Sequence, residues 1–228
     1  MPDTYVIPAP RPATLPVAGE TALFPVRRVY CVGRNYAEHA REMGHSGKEP
    51  PFFFQKNPDN LTTEGVFPYP SRTADLHHEV ELVVALAKGG RDIPAVEALD
   101  HVYGYGIGLD MTRRDLQAEA KKAGRPWEAA KAADYSAPVS PLHPVAEVGH
   151  PDHGAITLTV DGELRQSGDL ADQIWSVADV IAHLSGLFEL APGDLIMTGT
   201  PAGVGAVQRG QVMIAAIEGL GVLEVRVV

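Results

Sequence analysis

Glu79 and Glu81 stand two residues apart in Leu76–Leu86, a run rich in Val and Leu with no Gly or Pro. Such a run reads as one β-strand. Side chains alternate faces along a strand, so the two glutamates share one face and Val80 and Leu82 share the other. Like charges that close either hold a proton on one group or hold a cation between them. Hard carboxylate oxygens suit Mg²⁺ or Mn²⁺. A third carboxylate is suggested by Tyr103–Asp110, which alternates glycine with large apolar residues and ends in Asp110. Glycine inside a strand marks the close approach of something else. One metal ion shared by Glu79, Glu81 and Asp110 is the first expectation. The two glutamates lining the solvated face of an amphipathic strand is the other, and spacing alone favours neither. The His78–Leu82 segment is not the HExxH zinc motif, because Leu stands where the second His belongs.

Other residue pairs carry chemistry of their own. Asn35 to Gly44 reads as a short helix with a capping residue and a glycine stop. His39 and Glu42 are then i,i+3 neighbours. A carboxylate bound to an imidazole fixes its tautomer and raises its basicity, the arrangement of a water-activating dyad; by itself such a pair is more often surface decoration. Met111–Gly124 is the clearest helix signal, with Thr112 and Asp115 placed as a capping pair and Gly124 as the stop. Arg114 and Gln117 share its first-turn face close to Asp110, suited to a substrate carboxylate, or else an ordinary polar face. Lys131 lies in a small-residue segment, either snorkelling to solvent or placed at a site. Lys56 ends the apolar strand Phe52–Lys56, within reach of an anionic ligand or simply at a solvated strand end. The strand from Leu195 runs into a Gly-rich loop at 199–205 that can form an anion nest or only a tight turn.

The positioning elements follow the chain. Residues 1–25 hold six prolines, which defeat helix and central strand; they read as an extended arm packed on the body or on a partner subunit, or as a flexible tail. Residues 26–228 read as one catalytic domain. It starts with the buried strand Arg28–Gly33 and includes a hairpin around Asp161-Gly162. A capped helix follows at Ser176–Gly186, and two strands close the chain from Val212. The 228 residues are 45% hydrophobic and 21% charged with a formal net charge of −10. That describes a soluble globular chain and argues against nucleic-acid or anionic-membrane surfaces. Cys31 is the only cysteine, so a reducing compartment and a buried structural thiol are expected. With no basic-then-apolar leader at its start and no apolar run long enough for a bilayer, the cytoplasm is the expected location.

Six segments occur in a characteristic order: GRNYAEHAREMG, FFFQKN, LHHEVEL, GYGIGLDMTRRDLQ, AAKAADYSAPVS and DLIMTGTPAGVG. Together they resemble the fumarylacetoacetate hydrolase family, in particular its short acylpyruvate-hydrolase branch, over nearly the whole chain from Val29. The resemblance implies an α+β fold, a mixed β-roll or sandwich with short flanking helices, in a homodimer. It implies Mg²⁺ or Mn²⁺ on Glu79, Glu81 and Asp110. Longer members add an earlier Asp that has no counterpart here, which leaves coordination sites for water or substrate. It implies the dyad at His39 and Glu42, and substrate contacts at Arg34, Arg114, Gln117, Lys131 and Thr200, with Lys56 in a motif of less defined role. The expected activity is hydrolytic carbon–carbon cleavage of a 2,4-dioxo acid such as 3-fumarylpyruvate. Lys131 and Gln117 are the oxyanion donors, and a Lewis acid stabilises the pyruvate enolate that leaves. The alternatives are oxaloacetate decarboxylation, or decarboxylation or isomerisation of a longer 2-oxo dioic acid, on the same site; a further one is a metal-dependent binding protein without turnover.

Overall fold

Every residue of strand Val80–Leu86 is buried, so both faces of its sheet must be covered. The computed structural model, which describes residues 4–38 and 49–228, shows how. The strand lies inside a six-stranded mixed sheet. Its order is His143–Pro144, Val102–Leu109, Val80–Leu86, Asp194–Met197, Arg28–Gly33, Phe52–Lys56. Tyr30, Leu82, Val84, Ile107 and Ile196 point from one face. They pack on Ile156, Leu158, Met213, Ala215 and Val225 of a five-stranded sheet. That sheet runs Glu163–Asp169, Ala155–Val160, Val212–Ile217, Gly221–Val227, Val66–Phe67. Two sheets closing on one apolar layer, with short helices outside, make the expected α+β sandwich.

The opposite face of the six-stranded sheet carries Val29, Cys31, Val83, Ala85, Leu195 and Met197. Leu15, Val17 and Phe24 cover it, together with Leu142. The second half of the Pro-rich arm is therefore packed on the body through Leu15, Val17 and Phe24, with Thr14–Pro16 paired antiparallel to Leu23–Pro25, while residues 4–12 are exposed. The glycines of the 102–109 strand also lie on this face. A Cβ on Gly108 would sit 2.6 Å from Val83 Cγ2, and one on Gly104 2.3 Å from the His143 carbonyl. Close approach is thus the reason for the Gly alternation, and it ends with Asp110 on the same face.

Two expected elements need correction. Leu76–Leu86 is not one strand. It breaks at Glu79 into Leu76–His78 and Val80–Leu86, and the first piece joins a separate small sheet with Thr112–Arg113 and Gly205–Ala206. The N–H of Val80 is taken by the Gln166 side chain at 3.1 Å, and the Glu79 carbonyl accepts the Asp110 N–H at 2.8 Å. The helix after Asp110 spans Arg114–Ala123, not Thr112 onward. Thr112 is needed in the strand pair with His77, and its hydroxyl donates to the Asp110 carbonyl. Asp115 instead accepts from Thr73 Oγ1 at 2.7 Å and Ala74 N–H at 2.9 Å. The stop at Gly124 stands, with φ of +60°. So do the 161–162 hairpin turn and the Ser176 cap.

Candidate active site

Strand parity delivers the site. Glu81 pairs with Gly108 across the sheet, and Val80 with Leu109, so Glu79, Glu81 and Asp110 converge on the second face at one end of the sheet. Their carboxylate oxygens lie within 4.8 Å of one another and all three residues are buried. The solvated-face reading of the glutamates therefore fails. Burial, then the charges on Asp110 and Glu79, pushes the Glu81 carboxyl well above the usual carboxylate range. The expected anion nest serves the protein itself: the Gly199 N–H donates to Glu81 Oε2 at 2.8 Å.

Three cations face these three acids. Lys131 Nζ donates to Glu79 Oε2 at 2.8 Å and to Asp110 Oδ2 at 2.6 Å. Burial opposes its charge, but Asp110 and Glu79 outweigh burial and hold it protonated. Arg114 Nη2 donates to Glu79 Oε1, and Nη1 donates to Gln117 Oε1 at 2.7 Å. Lys56 Nζ stands 2.8 Å from Asp110 Oδ1, but its hydrogen bonds go to Ser136 Oγ, the Met111 carbonyl and the Lys131 carbonyl. Asp110 Oδ1 is left without a hydrogen-bond donor. Three buried carboxylates, one with an oxygen free of donors, are the hard donor set a divalent metal takes. The residues fit the ion.

A cavity opens from this cluster between Val32, Phe52, Phe54 and Trp127, and Arg34, Arg114, Gln117, Lys131 and Thr200 all line it. The structure thus brings together eight of the eleven expected site residues around one space or at its floor: these five with Glu79, Glu81 and Asp110. Lys56 is a correction. It neither lines the cavity nor meets solvent; it is fully buried behind Asp110, because Phe52, Phe54 and Lys56 alternate onto the second face. His39 and Glu42 lie outside the described residues.

The structure adds residues that the sequence reading passed over. Gln166 accepts from the Val80 N–H, contacts His78 Nδ1 at 2.8 Å, and donates to Thr200 Oγ1 at 2.8 Å and the Pro201 carbonyl at 2.9 Å. It ties the Glu79 break to the Thr200 loop. In an otherwise exposed hairpin strand, a lone Gln gives no sequence signal. Asn35, expected as a helix cap, instead donates to the Thr198 and Trp175 carbonyls at 2.8 and 2.9 Å and accepts from the Trp175 N–H at 2.8 Å, which docks the Arg34 turn on that same loop. Phe52, Phe54 and Trp127 form the aromatic wall. Applying strand parity backward from Lys56 would have found the two phenylalanines.

Residues 28–228 match the family model for the fumarylacetoacetate (FAA) hydrolase C-terminal domain. A crystal structure of fumarylpyruvate hydrolase from Pseudomonas aeruginosa, in complex with Mn²⁺ and pyruvate, superposes with a TM-score of 0.96. It is 55% identical and covers 99% of both chains. A mitochondrial oxaloacetate tautomerase of Arabidopsis thaliana is 44% identical over 194 residues, 85% of this chain and 87% of that one. A mitochondrial oxaloacetate decarboxylase of Dictyostelium discoideum is 41% identical, over 85% of this chain and 90% of that one. The chain belongs to the fumarylacetoacetate hydrolase family, as one of its metal-dependent enzymes.

Proposed function

We propose that this enzyme hydrolyses a carbon–carbon bond in a 2,4-dioxo acid, with 3-fumarylpyruvate as the substrate and fumarate and pyruvate as products. One observation carries the reading: a buried triad of carboxylates, met by Lys131 and Arg114, forms the floor of a cavity walled by flat aromatic rings and further cations. With a divalent ion held there, such a floor would suit an oxygen-rich anion, and such walls suit a planar conjugated chain. Identity of 55% over 99% of the Pseudomonas fumarylpyruvate hydrolase supports it.

When bound at Glu79, Glu81 and Asp110, a divalent ion supplies Lewis acidity to the 2-oxo acid end of the substrate. The rest falls to the chain's own side chains. Arg114 holds the carboxylate of that end. Gln117, its oxygen occupied by Arg114, offers its amide N–H groups to the substrate. Glu42 orients His39, which takes a proton from water as the oxygen attacks C4. Lys131 and Gln117 donate to the oxyanion that develops there. The C3–C4 bond then breaks. Its electron pair passes to the pyruvate enolate, which is protonated at C3, while C4 leaves as the new carboxylate of fumarate. Arg34 and Thr200 contact the acyl portion. We further propose that the enzyme works as a homodimer in the cytoplasm, in aromatic-ring breakdown; light scattering tests the dimer. No helix among the described residues is long and apolar enough to cross a membrane.

A second reading is conversion of oxaloacetate, by tautomerisation or decarboxylation, favoured by the 44% identity to the Arabidopsis tautomerase. Neither reaction needs an attacking water. The test is product analysis with Mg²⁺ present. Equimolar fumarate and pyruvate from 3-fumarylpyruvate are expected. Turnover of oxaloacetate alone, with 3-fumarylpyruvate intact, would replace the first reading by the second.

A further inference from the structure

Two abutting aromatic rings carry two cations at the mouth of the cavity. The Arg34 guanidinium lies 4.7 Å from the Phe52 ring centre, and Lys121 Nζ lies 5.2 Å from that of Trp127. The two rings meet edge to face at 5.5 Å. Both cations line the space that reaches Glu79 and Glu81, but Lys121 is exposed and Arg34 half-buried, whereas the acids are buried. Among the described residues neither cation has a carboxylate partner. Instead they face each other and further positive charge. Burial, then Arg114, Arg34 and Lys131, outweighs the charge of Glu79 and holds the Lys121 ammonium below the usual lysine range.

The backbone is also strained to put Arg34 there. Arg34 sits at φ +66°, a region that a residue with a Cβ enters at a cost. The preceding Gly33 has no room for a side chain, since its Cβ would lie 2.0 Å from Phe52 Cζ. Packing alone asks for none of this: an apolar stem on Trp127 would do as well as a lysine.

We infer that Lys121 and Arg34 form a second anion subsite at the cavity mouth, which binds the distal carboxylate of a dianionic acylpyruvate while its flat unsaturated chain lies along Phe52 and Trp127. This rests on the hydrolase reading above and sharpens it, because Lys121 becomes a specificity-determining residue. A neutral acyl tail leaves the two cations unpaired. Oxaloacetate, with four carbons, has no unsaturated chain between its carboxylates to lie along the two rings.

The experiment compares wild type and Lys121→Met on two substrates that share the bond to be cleaved: 3-fumarylpyruvate, and acetylpyruvate, whose tail is a methyl group. Lys121 is exposed, so the variant is expected to fold, which its melting curve checks. With 3-fumarylpyruvate, kcat/KM falls about tenfold in K121M, through KM, as expected for one charge-assisted hydrogen bond. With acetylpyruvate it changes less than about twofold on the same grounds. Equal losses on both substrates, or none on either, would overturn the subsite. A binding readout separates this from failure of the hydrolase reading. In a Trp175→Phe background, Trp127 fluorescence is titrated with fumarate and with crotonate, which has a methyl in place of the far carboxylate. Fumarate binds more tightly than crotonate, and K121M removes the difference. If wild type cleaves neither dioxo acid the hydrolase reading fails, and this titration still decides the subsite: equal fumarate and crotonate affinities reject it.

Discussion

Replacing Lys56 by Met removes a fully buried ammonium and keeps the length and bulk of its stem. In the metal-free protein three carboxylates face three cations, and Lys56 Nζ lies 2.8 Å from Asp110 Oδ1 with both side chains inaccessible. Deleting one partner of a buried ion pair costs about 3–5 kcal/mol, because the other charge stays buried. In a chain of this size each kcal/mol moves Tm by about 2–4 °C. Metal-free K56M should therefore melt roughly 6–20 °C below wild type. A divalent ion adds two positive charges to the same cluster and no longer meets the repulsion of that ammonium. Saturating Mg²⁺ should raise the Tm of K56M more than that of wild type. The assay is thermal melting of both proteins in EDTA and in Mg²⁺. The hydrogen bonds from Lys56 to Ser136 and the Met111 carbonyl are lost under both conditions, so the difference between conditions isolates the charge. A loss of Tm that is the same with and without Mg²⁺, or no loss in EDTA, would refute the reasoning. Lys56→Gln, polar but uncharged, should behave as K56M does.

Three further outcomes can be measured directly. Glu81→Gln should weaken Mn²⁺ binding, followed by titration of the apo-protein, by more than the roughly 10–100-fold typical of groups behind the ligands; unchanged affinity would strike Glu81 from the ligand set. His39→Ala at saturating Mg²⁺ should lower turnover by about two to four orders of magnitude, and a near-wild-type rate would remove His39 from the mechanism. Asp115 gives a pH dependence away from the site. Burial pushes its carboxyl up, but the Ala74 N–H, the Thr73 hydroxyl and the Leu116 N–H outweigh burial and hold it below its ordinary value. A carboxyl lowered on folding contributes stability above its unfolded value of about 4 and loses it as pH falls through the folded value. Asp115→Asn should thus lower Tm evenly from about pH 5 to 8, with the gap closing in more acidic buffer; a gap that persists unchanged at low pH would contradict this.

Much of this site was legible in the chain because strand parity is rigid. The Gly-x-Gly-x-Gly-x-Asp spacing fixes Asp110 on the face where Gly104, Gly106 and Gly108 admit their neighbours, and the two-residue step fixes Glu81 beside it. The helix register that joins Arg114 to Gln117 was legible for the same reason. What stayed hidden depends on contacts distant in sequence. The break at Glu79 is made by Gln166, 86 residues from Val80. Thr112 reads locally as a cap, yet its pairing with His77 overrides that preference and starts the helix two residues later. Lys56 reads as a strand end, and only the sheet order shows a buried position behind Asp110.

Burial then decides between the two readings that spacing left level. A glutamate pair on a strand is cheap if its face meets water. Here the same face continues beyond Glu81 into a closed apolar layer of Val83, Ala85, Leu15, Val17, Phe24 and Leu142, and both glutamates are buried. Carboxylates placed there lose their hydration and must recover it from positive charge. Lys131 reaches Glu79 and Asp110, Arg114 reaches Glu79, Lys56 stands behind Asp110, and Glu81 is met by the Gly199 N–H. A chain under selection only for stability would put apolar residues at all six positions, since a buried charge network seldom outperforms apolar packing. Burial on both faces of the strand is thus what turns the Glu79–Glu81 step into a site that needs a cation and offers one open side, through the cavity, to an anionic substrate.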